Sequence, residues 1–272
     1  MSLIPNTLSD AEIPELLGSL LGGLFSGPAR LPFVPGGRKA ALERLKAFNP
    51  ARYGSRNHLE GGVSGLSPYL RHGMVSMAEV ARAIRTYKSG KDRNELLRQL
   101  SWREFFYLVL EQEGEARVLE NLELPKYNAR WTDTIPDDIR NAQTGLPCVD
   151  AWVSRLETEG YLHNHERLWF GAYWVHFRKL HWKAGYRLFR EHLLDGDVGN
   201  NALSWQWVAS TFSQKPYFMN KDNIERYSAG RWCRGCTADC PFDYEYETLE
   251  KRLFGPERSG ERSMERSMER SR

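Results

Sequence analysis

Between Arg38 and Leu180, apolar side chains recur three and four positions apart, the spacing that lines one face of an α-helix. Ala41, Leu42, Leu45 and Phe48 form the first stripe. Val80 to Tyr87, Leu96 to Leu110, Val149 to Leu162 and Glu166 to Leu180 form the next ones. Alternation of apolar and polar residues, the mark of a half-buried strand, is nowhere of comparable quality. Gly61-Gly62, Leu124-Pro125 and Asp195-Gly196-Asp197 interrupt the stripes and predict connections. The expected fold class is all-α.

The two ends read differently. Residues 1–37 hold Pro5, Pro14, Pro28, Pro32, Pro35 and paired glycines, which predict a Pro/Gly-rich leader. Its most apolar stretch, Ile13 to Phe25, contains Pro14 and Glu15 and is too short to span a bilayer, so it is at most an interfacial or docking helix. A helical domain is expected over 38–255. From 256 to 272 the chain repeats charge and serine with no apolar face to bury, which predicts a disordered charged tail.

Composition narrows the function classes. With 272 residues, 41% of them hydrophobic, the chain can bury a sizeable core. Its 38 basic and 35 acidic residues leave a formal charge of +3, so any contact with nucleic acid must come from a local patch. Nine tryptophans are many for a helical domain, and indoles serve packing, stacking and electron transfer alike. Four unevenly spaced cysteines do not make a secreted disulfide framework, and no signal sequence opens the chain. The expected location is cytoplasmic, with no membrane partner.

Several segments carry chemistry. In Ser64-Gly-Leu-Ser-Pro-Tyr-Leu (64–70), hydroxyls and backbone amides gather at a helix start, with Pro68 near its first turn and Ser67 as its cap. That setting suits a pyrophosphate and a plain N-cap equally. Gln99, Trp102, Arg103 and Phe106 share one helical face, as do Asn164, Arg167 and Leu168. Cys233, Cys236 and Cys240 have ligand-like spacing, and Cys-x2-Cys-x3-Cys-Pro resembles part of a bacterial ferredoxin run. Three ligands are one short, and Cys148 serves as a fourth only if folding brings it near. An iron-sulfur cluster, a zinc ion and plain reduced thiols all stay open for them.

Taken in order, the segments resemble the photolyase/cryptochrome family over roughly 36–222. They are Gly-Gly-Arg-Lys-Ala-Ala-Leu-Glu-Arg-Leu (36–45), Tyr53, Arg56-Asn57, the 64–70 run, Gln-Leu-Ser-Trp-Arg-Glu-Phe-Phe (99–106), Thr-Gly-Leu-Pro-Cys-Val-Asp-Ala (144–151) and Gly-Tyr-Leu-His-Asn-His-Glu-Arg (160–167). The most specific is Asp-Gly-Asp-Val-Gly-Asn-Asn-Ala-Leu-Ser-Trp-Gln-Trp (195–207), continued by Ser-Gln-Lys-Pro-Tyr-Phe (213–218). The resemblance implies a multi-helical FAD-binding domain of the photolyase/cryptochrome type, standing without the antenna domain that normally precedes it.

For the cofactor, the resemblance implies that Tyr53, Ser64, Gly65, Leu66, Ser67 and Arg103 hold the FAD phosphates. Asp195, Gly196 and Asp197 would edge the flavin, Asn201 would face its N5, and Arg167 would pair with Asp195. Trp205, Trp182 and Trp131 would carry electrons to the flavin. For the substrate, Gln99, Trp102, Asn164, Leu168 and Trp207 would receive a flipped pyrimidine dimer. Arg178, Lys179, Lys183 and Lys215 offer either a grip on its phosphates or a plain solvated basic face. Three departures from the family are visible: Val63 stands where Thr is usual, Gln99 where repair members carry Glu, and Leu168 where they carry Met. The implied partner is single-stranded or damaged DNA. The alternatives are a cryptochrome-like light sensor and a FAD module whose protein partner supplies an antenna or reads a signal.

Overall fold

In the computed structural model, residues 8–9, 11–24, 31–88, 90–127 and 131–255 are described. Among them, thirteen α-helices account for almost all regular structure, and the extended backbone pairs only once, between Thr132 and Leu180. Helix α1 (Glu12–Leu21) has no buried residue. Helices α2 (Gly37–Ala47), α3 (Ser67–Arg71) and α4 (Met77–Arg85), with a 3-10 turn over Pro50–Ser55, surround a small core of Ala41, Phe48, Leu66, Tyr69, Val80 and Ile84. Helix α4 starts on a capping box, in which Ser76 Oγ accepts from the Glu79 amide at 3.1 Å and Glu79 accepts from the Ser76 amide at 2.8 Å.

Helix α5 (Lys91–Glu113) is the long element that joins the two halves of the domain. At 23 residues it extends for about 34 Å, and it packs against the 3-10 turn and α4 as well as α6 (Glu115–Val118) and α11 (Val198–Ala209). The larger core lies among α8 (Pro147–Glu159), α9 (Asn164–Ala172), α10 (Trp182–His192) and α11, with Trp152, Trp169, Phe170, Trp174 and Trp182 all fully buried. Short helices α7 (Asp137–Arg140), α12 (Lys221–Tyr227) and α13 (Tyr246–Phe254) complete the chain. Much of the tryptophan content is thus spent on packing.

Two predicted stripes end differently in the fold. The Val149–Leu162 stripe stops as a helix at Gly160, which caps α8 in the left-handed conformation. The Glu166–Leu180 stripe is not one helix, because after α9 the chain widens into a π-helical segment over Tyr173–Phe177. There the Arg178 amide reaches back five residues to Tyr173 O at 3.0 Å, and Trp174 Nε1 donates to His181 O at 3.1 Å, turning the chain into α10. The end of the expected leader packs on the helical body: Phe33 stacks on Tyr161 with ring centroids 6.3 Å apart, and Tyr69 donates to Pro35 O at 2.8 Å. The expected tail, 256–272, lies outside the described residues. No helix among the described residues is long and apolar enough to cross a membrane.

Two buried histidines make the fold acid-sensitive. Burial pushes His163 down to about 4, helped by neighbouring His165 and Arg167, and burial also lowers His176 to about 4. The unfolded chain takes up these protons near the ordinary histidine value of about 6.5, so stability is full above that pH and falls as the pH drops toward 4. Between pH 7 and 4.5 each histidine is expected to remove about 2–3 kcal/mol. A urea midpoint that stays constant over this range would contradict it.

Candidate cofactor cleft

A cleft of about 330 Å³ opens where the small and large cores meet along α5. The turn before α3 supplies Val63, Ser64, Gly65 and Ser67. Ser67 is the first residue of α3 rather than its cap, and its hydroxyl bonds to Asp195 instead. From α5 come Leu96, Gln99, Trp102, Arg103 and Phe106, one continuous helical face. Helix α9 adds Asn164, Arg167 and Leu168, and α11 adds Asn200, Asn201, Ser204, Trp205 and Val208.

The charged centre of the cleft is Asp195, which is 8% exposed. Arg167 Nη1 lies 3.0 Å from its Oδ1. Burial raises the carboxyl, but the Arg167 charge and bonds from Ser67 and Arg167 outweigh it, leaving Asp195 below the usual carboxylate range. Arg167 also donates through Nε to Leu162 O at 2.9 Å and sits over the Tyr161 ring at 5.5 Å, so its guanidinium is held from three sides. Arg103 Nη2 reaches Tyr107 at 3.1 Å and Asp197 at 3.4 Å.

On the face nearer the surface, Trp102 is 46% exposed and Gln99 is oriented by a neighbour. Gln99 Nε2 donates to Glu95 Oε1 at 2.9 Å, which leaves the amide oxygen and a second N–H for other partners. Bonds from Arg98 and Gln99, with the charges of Arg56 and Arg98, outweigh burial and hold the Glu95 carboxyl down at about 2. Asn201 is fixed in the same manner: its Nδ2 donates to Tyr186 O at 3.1 Å and its carbonyl is left to accept.

Some expected site residues sit elsewhere. Asp197 caps α11, accepting from the Asn200 amide at 2.6 Å, and faces Arg103 and Tyr107 behind the cleft wall. Leu66 points into the small core. Trp207 is 41% exposed and packs on Tyr217, because two residues beyond Trp205 is roughly 200° around the helix, away from the lining face. Trp205 borders the cleft and is in ring contact with Phe189 at 5.0 Å and Trp174 at 6.0 Å. Trp182 and Trp131 lie outside the lining, each in ring contact with His181, at 5.8 and 5.0 Å. Arg178 is engaged by Asp138 at 2.8 Å and Lys183 by Glu120 at 2.6 Å, whereas Lys215 has no ion pair among the described residues.

The cleft fits a large polar aromatic cofactor. Trp205 Nε1 is buried without a hydrogen-bond partner, in a residue that borders the same space as the Asp195 carboxylate. A family profile described as the FAD binding domain of DNA photolyase matches residues 96–238, more than half of the chain. The chain belongs to the photolyase FAD-binding family. It is 35% identical over 199 residues to the deoxyribodipyrimidine photo-lyase of Halobacterium salinarum, covering 67% of this chain and 41% of that one. With that of Streptomyces griseus it shares 37% over 152 residues, 55% of this chain and 32% of the relative. It therefore spans less than half the length of either relative.

The archaeal photolyase of Sulfolobus tokodaii, solved with two FAD molecules, superposes with a TM-score of 0.62 at 27% identity over 73% of this chain and 45% of that one. The cryptochrome of Synechocystis sp. PCC6803 shares the fold with a TM-score of 0.64 at 23% identity, over 75% of this chain and 48% of that one. FAD is the cofactor of this domain family, and of the residues expected to hold it, Tyr53, Ser64, Gly65, Ser67, Arg103, Arg167, Asp195, Gly196 and Asn201 line the cleft.

The expectation of a metal at the cysteines finds no support. Among the described residues no three His, Cys, Asp or Glu side chains gather as an ion site. Burial, reinforced by Cys240 and Cys233, pushes the Cys148 thiol up to about 12, and burial likewise raises Cys233 to about 11 and Cys240 above its ordinary value.

Several lining residues had not been assigned a role from sequence. Leu96, Asn200, Ser204 and Val208 extend helical faces already read, so carrying the spacing one turn further finds them. Tyr161, in the loop of the 160–167 segment, had been given no role there, and Phe189, at the far end of α10, has no sequence signal.

Proposed function

We propose that this chain is a FAD-dependent, light-driven enzyme that splits cyclobutane pyrimidine dimers in DNA. The observation that carries the proposal is that one cleft is lined both by the cofactor candidates Arg103, Arg167, Asp195, Asn201 and Trp205 and by the substrate candidates Gln99, Trp102, Asn164 and Leu168. Reduced FAD, when bound, supplies a photoexcited electron that opens the dimer and returns. The lesion must leave the duplex to reach such a cleft, as photolyases require. Half-exposed Trp102 offers it a stacking face. Gln99, turned by Glu95, offers a carbonyl to a pyrimidine N3–H, a contact that an ionised Glu would also make as acceptor. Asn201, turned by Tyr186 O, offers a carbonyl on the cofactor side. Trp205, Trp182 and Trp131 are the proposed electron carriers, with Trp174 added by its contact with Trp205.

The second reading is a blue-light sensor, or a redox module acting through a protein partner. It is favoured by Gln99, by Leu168 and by the position of Trp207 outside the cleft lining, which leaves one indole at the lesion end. The two readings separate on one purified sample carrying FAD. Illumination with a reductant and a dimer-containing oligonucleotide is expected to remove dimers, and Trp102→Ala is expected to weaken oligonucleotide binding by about tenfold or more, the worth of one stacked base. Trp205→Phe is expected to slow photoreduction while leaving FAD bound. Photoreduction without dimer loss would replace the enzyme reading with the sensor.

A further inference from the structure

We infer that Arg44, on α2 and outside the cleft lining, is the positioning residue that shapes the Val63–Ser67 turn for the phosphate end of the cofactor. This rests on the reading of that turn as a phosphate site. Arg44 Nε donates to Ser64 O at 2.7 Å and Nη2 donates to Val63 O at 3.1 Å. A planar fork that takes two successive carbonyls fixes both peptide planes at once. With those oxygens turned to Arg44, hydrogen-bonding groups of the turn are left to face the cleft that Ser64, Gly65 and Ser67 line.

Gly65 makes this approach feasible. Its φ of +64° lies in the region that favours glycine, and a Cβ built on it would stand 2.9 Å from both Arg44 Nε and Nη2. A side chain at 65 would therefore push the guanidinium off the two carbonyls. The charge acts on the cleft as well, since Arg44 is among the groups that shift the Tyr161 hydroxyl, and Tyr161 borders the cleft. Val63 has no hydroxyl to offer a phosphate, so this turn depends on its backbone and on Ser64, whose carbonyl Arg44 holds.

The test is a double-mutant cycle on FAD affinity, read from flavin fluorescence in the apoprotein. Arg44→Ala is expected to raise the dissociation constant about tenfold or more. In that background Ser64→Ala should add less than twofold, because the hydroxyl is no longer placed, whereas Asn201→Ala at the opposite end should keep its full effect. Gly65→Ala is expected to reproduce the Arg44→Ala phenotype. If Arg44→Ala does not fold by circular dichroism, the cycle is run on Arg44→Lys, which keeps the stem but not the fork. An affinity within twofold of the parent, or equal multiplication with both Ser64→Ala and Asn201→Ala, would overturn the role of Arg44. A parent protein that binds no FAD would instead overturn the reading beneath it.

Discussion

Arg167→Ala is expected to lower the unfolding free energy by about 3–5 kcal/mol, the cost of stranding a buried charge, and to abolish flavin binding. Asp195 has a 5% exposed side chain, and Arg167 is its counter-ion at 3.0 Å. Ser67 and a more distant Arg103 are the other groups that stabilise the carboxylate, and neither replaces a contact charge. Removing Arg167 also frees Leu162 O and uncovers Tyr161. Urea unfolding of the single variant and of the double variant Arg167→Ala with Asp195→Asn provides the check. The double variant should regain much of the stability, because the amide has no charge to neutralise, but should not regain the flavin. A single-variant loss below about 1 kcal/mol, the range of exposed ion pairs, would show that the pair is not energetically buried.

Gly185→Ala is expected to destabilise by about 1–3 kcal/mol or more, against the general rule that Gly to Ala within a helix stabilises by about 0.5–1 kcal/mol. The added Cβ would stand 2.2 Å from Trp205 Cη2 and 2.6 Å from two further ring carbons. Phe170, Trp174 and Phe189 pack against the indole and block its retreat into the core. Its free direction is the cleft it borders, so the variant should lose flavin affinity along with stability. Trp205→Phe in the same background should relieve the strain and raise the melting temperature above that of Gly185→Ala alone. If Gly185→Ala melts at or above the parent, the close approach of the two helices is not a constraint.

These two sites differ in how far the sequence reveals them. Arg167 and Asp195 stand in recognisable segments, and their pairing follows from the cost of an unpartnered buried carboxylate. Gly185 lies beyond the helical stripes read from sequence and carries no signal there. Its meaning lies in a contact with α11, twenty residues further along the chain. Arg44 is similar: on a helix stripe it reads as an exposed basic residue, and only the two carbonyls that accept from it give it a task. Glu95 is a carboxylate one turn before Gln99, and the orientation it imposes on that amide is visible only once the side chains are placed.

By itself the sequence determined the all-α class, several of the helical stripes and which residue types gather at the cleft, because helical periodicity and short motifs are local properties. It placed Gln99, Trp102, Arg103 and Phe106 on one face, and that face lines the cleft. Tertiary structure decided which of the motif residues look inward. Trp207 and Asp197 stand within the most specific segment, yet the phase of α11 turns the first outward and the need to cap its amides takes the second. The π-helical widening after α9, which brings Trp174 against Trp205, likewise has no local signature. Helical phase, capping and close packing all depend on what the neighbouring helices offer, and that is fixed only when the chain has folded.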